Sequence, residues 1–286
     1  MLKLLAAAVV APLLLTQPAT QPLAPPARPP AAPAIELVSS TELVTAQRGD
    51  LPIILSAPHG GAVRVHGSKD RARGVTVRDV NTAEIALICA QRLTDRLGAK
   101  PYFVIAQFSR KDADANRDAA EAYENDAAKT QCDAYHRALK TAVDECRARF
   151  GAAILIDLHG QVREPDALVR GTRNGKTVTA LVARHGAAAL TGPDSIFGRL
   201  RAAGYRVIPD GDEPGTPAGR EMFFDGGYIV ANYGSDQPNG VDAIQIEIGS
   251  QRSNNLIKVS RDIAEAVAAC ARVYYLKQMA PMQDEP

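Results

Sequence analysis

Two of the five histidines in this chain stand where apolar runs end. His59 follows LPIIL within SAPHGG, residues 56–61, and His159 closes the run in AAILIDLHGQ, residues 152–161. An imidazole on the end of a rigid strand has a fixed direction, which suits it to metal ligation. A catalytic zinc takes three protein ligands and keeps one position open, so a third donor is needed. His66 lies in an Arg/Lys-rich loop, His136 among solvated residues of a helix and His185 beside Arg184, and all three read as structural or surface residues. The remaining candidates are the carboxylates of Asp79 and Glu84. Glu84 falls three residues after Asn81, the spacing of a capping box, which gives it another duty. Asp79, in the loop just before that helix, is preferred, with Glu84 as the alternative. Taken singly, each histidine also reads as a turn residue beside glycine.

Other polar residues fit the same chemistry. Asp157 lies two residues before His159, so both side chains leave the strand on one face. A carboxylate there can orient the imidazole from behind. In SRKDADANRD, residues 109–118, Asn116 and Arg117 offer an amide and a bidentate fork suited to a substrate carboxylate. Read alone, that stretch is a solvated loop. Glu247 sits between Ile246 and Ile248 in AIQIEIG. A carboxylate in so apolar a strand is not there for solubility, and desolvation would raise its pKa toward that of a general base or acid.

The elements that position these residues alternate. Strand signals are residues 51–57, 101–107, 152–158, 166–172, 205–210, 228–232 and 243–249, short and bounded by Gly, Pro or Asp. Helix signals fall at 81–98, 122–151, 193–204 and 254–279. The pattern predicts an α/β fold, a three-layer α/β/α sandwich around a mixed, largely parallel sheet. In such sheets ligands sit at the carboxyl ends of strands, where both histidines fall.

Composition bounds the rest. Of 286 residues, the first 20 carry one Lys, an apolar run from Leu4 to Leu15 and then small and polar residues. That is the layout of a secretory signal, the run being short for a membrane span. An uncleaved anchor is the alternative. Residues 21–35 read as a stiff Pro-rich linker. Residues 36–280 then form one domain, large enough for a single core. The expectation is a periplasmic or secreted protein with no stable membrane association once the signal is removed. Net charge is +1 and there is no Trp, so neither a basic field nor a stacking platform points to nucleic acid. Cys132 and Cys146 lie fourteen residues apart on one helix, about 21 Å, too far for a disulfide. Cys89 with Cys270 is a pairing that export would allow. The competing reading of all four is small buried hydrophobes.

In order along the chain stand PHGG, Asp79 before a helix, D-A-N-R, D-L-H, DALVRGTRNGKT (166–177) and a GGYIVANYG…IQIEI run (226–248). This order resembles the N-formylglutamate amidohydrolase family, itself similar to zinc carboxypeptidases and aspartoacylase-like deacylases. The resemblance covers most of residues 50–250 as ordered motifs. It implies a zinc-dependent amidohydrolase with one zinc ion per chain held by His59, Asp79 and His159. Two histidines and a carboxylate also suit iron or manganese. Glu247 would be the general base that activates water and then protonates the leaving amine. Arg117 and Asn116 would clamp a substrate carboxylate, Tyr228 would join them, and Arg110 would support the oxyanion. The expected partner is a small-molecule or short-peptide substrate bearing a carboxylate, such as an N-acyl amino acid. The chain departs from the family at Gly60 and Gly160, where Ser usually follows each histidine, and in a basic insert across residues 63–74, read as a lid. Rival readings are a periplasmic carboxypeptidase or γ-glutamyl or cell-wall peptide hydrolase, and a non-catalytic binding protein on the same scaffold.

Overall fold

The computed structural model describes residues 42–209 and 220–276. The secretory signal, the linker, Asp210 and the last part of the C-terminal helix signal lie outside the described residues. In chain order the elements begin β1 (Val44–Gln47), β2 (Ile53–Ala57), α1 (Thr82–Leu97), β3 (Tyr102–Ala106), α2 (Ala119–Ala122), α3 (Asp126–Phe150), β4 (Ile154–Gln161) and β5 (Ala167–Gly171). They continue with α4 (Thr179–His185), α5 (Ala188–Thr191), α6 (Ile196–Ala202), β6 (Arg206–Ile208), α7 (Tyr228–Tyr233), β7 (Asp242–Gly249), α8 (Ser250–Ser253) and α9 (Leu256–Tyr274).

The seven strands form one mixed sheet in the order β1-β3-β2-β4-β7-β5-β6. Pairs β2/β3, β2/β4, β4/β7 and β5/β6 are parallel, while β1/β3 and β5/β7 are antiparallel. The central strands are buried on both faces, which is why they read as continuous apolar runs. One face packs Ile53, Leu55, Ile156 and Ile246 against α1, α6 and α9. The other packs Ile54, Val104, Leu155 and Ala243 against α3 and α7. This is the expected three-layer α/β/α arrangement.

Strand period 2 sets the site. In β4 and β7, Asp157 stands beside Gln245 and His159 beside Glu247 in parallel register. All four therefore project to the face of α3 and α7, near the carboxyl ends, while their isoleucine neighbours fill the opposite core.

Three sequence expectations change. Residues 228–232 form not a strand but the start of α7. Its buried Ile229 and Val230 are a short β-branched run, for which local pattern does not separate strand from helix. A remote cap decides the matter, because the Ile229 N–H donates to Asn116 Oδ1 at 2.8 Å. The capping box at Asn81 and Glu84 does not form. Asn81 is left-handed with φ 71° and makes no side-chain cap, and its Nδ2 donates instead to Ser253 O. Finally, β1 has no counterpart among the predicted strands, since this four-residue edge strand buries only Val44.

Candidate metal centre and active site

β2 ends at Ala57, and the chain turns through Pro58 to His59, which is fully buried. The turn lies against α1 so closely that a Cβ on Gly60 would stand 2.5 Å from the Ala83 backbone nitrogen. Only glycine permits that approach, which accounts for Gly60 directly after the histidine. β4 carries His159 on its last turn outward, also buried. Asp79 comes from the loop ahead of α1 and is fixed by the Gly160 N–H, which donates to its Oδ2 at 3.1 Å.

Second carboxylates set the tautomers. His59 Nε2–H donates to Asp114 Oδ1 at 2.6 Å, and His159 Nε2–H donates to Asp157 Oδ2 at 2.8 Å. Each Nδ1 is thereby turned toward the cluster, where it shares a proton or offers a lone pair to a cation. The two Nδ1 atoms face one another at 3.1 Å, and Asp79 Oδ2 lies 3.2 Å from one and 3.4 Å from the other. Two ring nitrogens and a carboxylate oxygen thus converge on one buried point, where the Gly160 N–H to Asp79 Oδ2 does not satisfy all three. A proton or a cation must sit there for the arrangement to be stable. Ligands about 2.0–2.1 Å from a tetrahedral metal stand about 3.3–3.4 Å apart, close to these separations. His59, Asp79 and His159 therefore fit a metal ion both in donor chemistry and in spacing.

The charges respond accordingly. Burial opposes ionisation of Asp79, but hydrogen bonds from His159 and His59 outweigh it and hold its carboxyl far below the usual range. Burial likewise disfavours charge on His159, yet the charge and hydrogen bond of Asp157, with Asp79 and Glu247, raise it well above its ordinary value. Asp114 is also desolvated, but His59, Arg110 and Arg71 hold it ionised. Glu247 differs. Burial dominates, His159 pulls against it, Asp79 adds to it, and the carboxyl is pushed up to about 7.

A cavity of about 670 Å³ opens over this cluster, lined by His59, Asp79, His159, Glu247, Asn116 and Arg117 among others. Asn116 is oriented by its cap on α7, and its Nδ2 lies 3.4 Å from His159 Nε2. Arg117 is half-buried on the cavity wall. Arg110 also lines the cavity, with Nη1 donating to Asp79 Oδ1 and Nε to Asp114 Oδ2, both at 3.0 Å. Two of its nitrogens are thus engaged in holding carboxylates. Tyr228 does not line the cavity, and its ring meets His136 edge-on at 5.5 Å. His136 is not solvated but enclosed by Tyr135, Tyr228 and Tyr233. Glu84 lies outside the cluster and pairs with Arg78 at 3.3 Å.

The basic insert is not a free lid. Arg71 is buried, its Nη1 3.3 Å from Asp114 Oδ2 and its Nε donating to Glu121 O. Arg64 grips Asp112 through Nε and Nη2. The four cysteines are free and buried, and Cys89 Sγ donates to Ser260 O, so they pack as small hydrophobes.

Two contributors were not singled out from the sequence. Asp114 fixes the tautomer of His59; its signal was its place two residues before Asn116 in D-A-N-R. Gln245 accepts the Gly227 N–H and donates to Glu247 Oε1 at 2.9 Å. Its signal was the same two-residue spacing that links Asp157 to His159.

Fold and site together define a class, an α/β sandwich protein with a two-histidine, one-carboxylate centre at its strand ends beside a buried glutamate. The family model for N-formylglutamate amidohydrolase matches residues 131–252. That span holds Asp157, His159, Gln245 and Glu247, whereas His59 and Asp79 precede it. A search of curated proteins finds no match. Among solved structures, an N-formylglutamate amidohydrolase from Ralstonia eutropha JMP134 is similar with a TM-score of 0.55 and 19% identity, over 81% of this chain and 98% of that one. A gene product from Agrobacterium tumefaciens is similar at 15% identity and a TM-score of 0.44, over 81% and 96%. An N-acetylmuramoyl-L-alanine amidase from Clostridium difficile 630 is similar at 14% identity and a TM-score of 0.32, over 80% and 98%. The first of these shows a shared fold. The resemblance to the N-formylglutamate amidohydrolase family stands on the family match, which supports a hydrolase of amide bonds.

Proposed function

We propose that this protein is an exported, zinc-dependent amidohydrolase that cleaves the amide bond of an N-acyl amino acid or a related small carboxylate. The observation that carries the reading is the convergence of His59 Nδ1, His159 Nδ1 and Asp79 Oδ2 beside the buried carboxyl of Glu247. A cation held by those three groups would supply Lewis acidity, polarising a carbonyl and making water more acidic. Asp114 and Asp157 keep both imidazoles in the ligating tautomer. Glu247 takes a proton from the attacking water and returns it to the leaving nitrogen, a role its pKa near neutrality suits. Arg117 pairs with the substrate carboxylate and so aligns the amide. Arg110 holds Asp79 and Asp114 in place, and as a residue lining the cavity it would support the oxyanion charge that develops.

The leader-like residues 1–20 support export, and the absence of a basic field or stacking platform supports a small-molecule rather than a nucleic-acid partner. No described helix is long and apolar enough to cross a membrane. The test is release of glutamate from N-formylglutamate and N-acetylglutamate by the purified protein. Activity should vanish on chelation and return with zinc. A protein that binds zinc yet hydrolyses no N-acyl amino acid would sink the assignment.

A further inference from the structure

The mouth of the cavity has a chemistry that a formyl amino acid does not use. Among the described residues, nine large apolar side chains are strongly exposed, and five of them line this cavity: Val75, Val77, Val80, Val162 and Phe223. They are between 50% and 81% exposed. Exposed apolar residues scattered singly need no explanation, but a cluster around one concave site marks binding. They come from three separate stretches of chain: Val75, Val77 and Val80 precede α1, Val162 follows β4 and Phe223 precedes α7.

The first stretch is firmly anchored. The Val75 carbonyl accepts from buried Arg71, and the Val77 carbonyl from Arg110. The stretch that carries Phe223 is anchored by Glu221, which is buried and accepts from Arg170 Nε, Thr172 N and Asn174 N. Apolar side chains held exposed on anchored backbone form a preorganised surface. A cation lies among them. The Arg163 guanidinium stacks 3.4 Å above the Phe223 ring and has no carboxylate partner among the described residues. A volume of about 670 Å³ falls in the range that encloses drug-sized ligands, well beyond the needs of an N-formyl amino acid.

Building on the amidohydrolase reading, we propose that the substrate is an anionic amide bearing an extended apolar group, and that this mouth is the subsite that receives it. The apolar group sits against the valines and Phe223, continuous with the metal centre, and Arg163 meets negative charge beside it. The group could belong to the acyl half or to the amine half of the amide, and both present the same chemistry to the walls.

The test does not depend on turnover. Chelator-treated, metal-free protein is titrated calorimetrically with N-formylglutamate, N-octanoylglutamate and N-formyl-2-aminooctanoate. At about two- to fourfold in affinity per methylene buried, one of the long compounds should bind at least about tenfold more tightly than N-formylglutamate, with a negative heat-capacity change. Which one does so identifies the half that carries the chain. The exposed positions allow Val77→Asp and Val162→Asp to fold, and each should shrink that ratio severalfold. Equal affinity for all three compounds, or a ratio unchanged in both variants, would overturn the proposal. Hydrolysis by the zinc-loaded protein is then measured separately. Preferred binding of a long compound without hydrolysis of any of the three would refute the amidohydrolase reading alone. Hydrolysis of all three without preference in binding would refute the subsite alone.

Discussion

Replacing Glu247 with Gln tests the buried base through stability as well as catalysis. The carboxyl is pushed from 4.5 to about 7, chiefly by burial in β7, and it is largely shielded from solvent at 7% exposure. Glutamine keeps the shape and can still accept the Gln245 Nε2–H bond, so the substitution removes little but the ionisation. The sign follows from proton binding. Between these two pKa values the folded chain retains a proton that the unfolded chain has released. The stabilising contribution is therefore fully present below 4.5 and is lost as pH rises through 7. At about 1.36 kcal/mol for each unit of pKa difference, wild type should lose about 2.5 kcal/mol relative to Glu247→Gln between about pH 5 and pH 8. Urea unfolding of chelator-treated protein at those two pH values measures the difference directly. A wild-type-minus-variant stability that stays flat across the range would refute the claim that Glu247 is desolvated. In the metal-loaded enzyme the same substitution should lower kcat by about 10²–10⁴-fold.

Four further outcomes are expected. Asp157→Asn and Asp114→Asn each release one imidazole from its fixed tautomer, and metal affinity should fall by about 10–100-fold, read by competition with a chromogenic chelator. Because His159 is raised well above its ordinary pKa, metal uptake must displace a proton. Apparent affinity should therefore rise with pH, and calorimetry in buffers of different ionisation enthalpy should detect proton release. Arg71→Ala removes a buried partner of Asp114 together with three backbone contacts. It should cost about 3–5 kcal/mol, measured by denaturant unfolding. Reducing agent should leave Tm unchanged, since Cys89, Cys132, Cys146 and Cys270 are free.

The sheet and its order of secondary structure were legible wherever a strand is central. β2, β4 and β7 are buried on both faces, and their isoleucine-rich runs end at residues that could not be explained by packing. His59, His159 and Glu247 stood out for that reason. Strand period alone put Asp157 on the side of His159, and the same rule applied to Glu247 would have drawn in Gln245. What was illegible depends on distant partners. α7 looks like a strand in isolation because its helical start is capped by Asn116, more than a hundred residues earlier. Arg71 looks like part of a solvated basic run because the carboxylate that buries it, Asp114, lies in another loop. The capping-box spacing at Asn81 misled because Asn81 turns to Ser253 on α8, a contact that no local rule contains. Asp114 was hidden by its surroundings, a charged stretch in which any one carboxylate resembles a solvated residue.

Metal content of the purified chain, for wild type and for His159→Ala, tests the central claim most directly. About one zinc per chain in wild type, absent from the variant while the fold is retained, is the expected result. A folded wild-type protein that contains no metal and takes up none when zinc is supplied would contradict it. His59, Asp79 and His159 would then be a buried hydrogen-bonded cluster holding a proton, and the amidohydrolase assignment would fall with the metal.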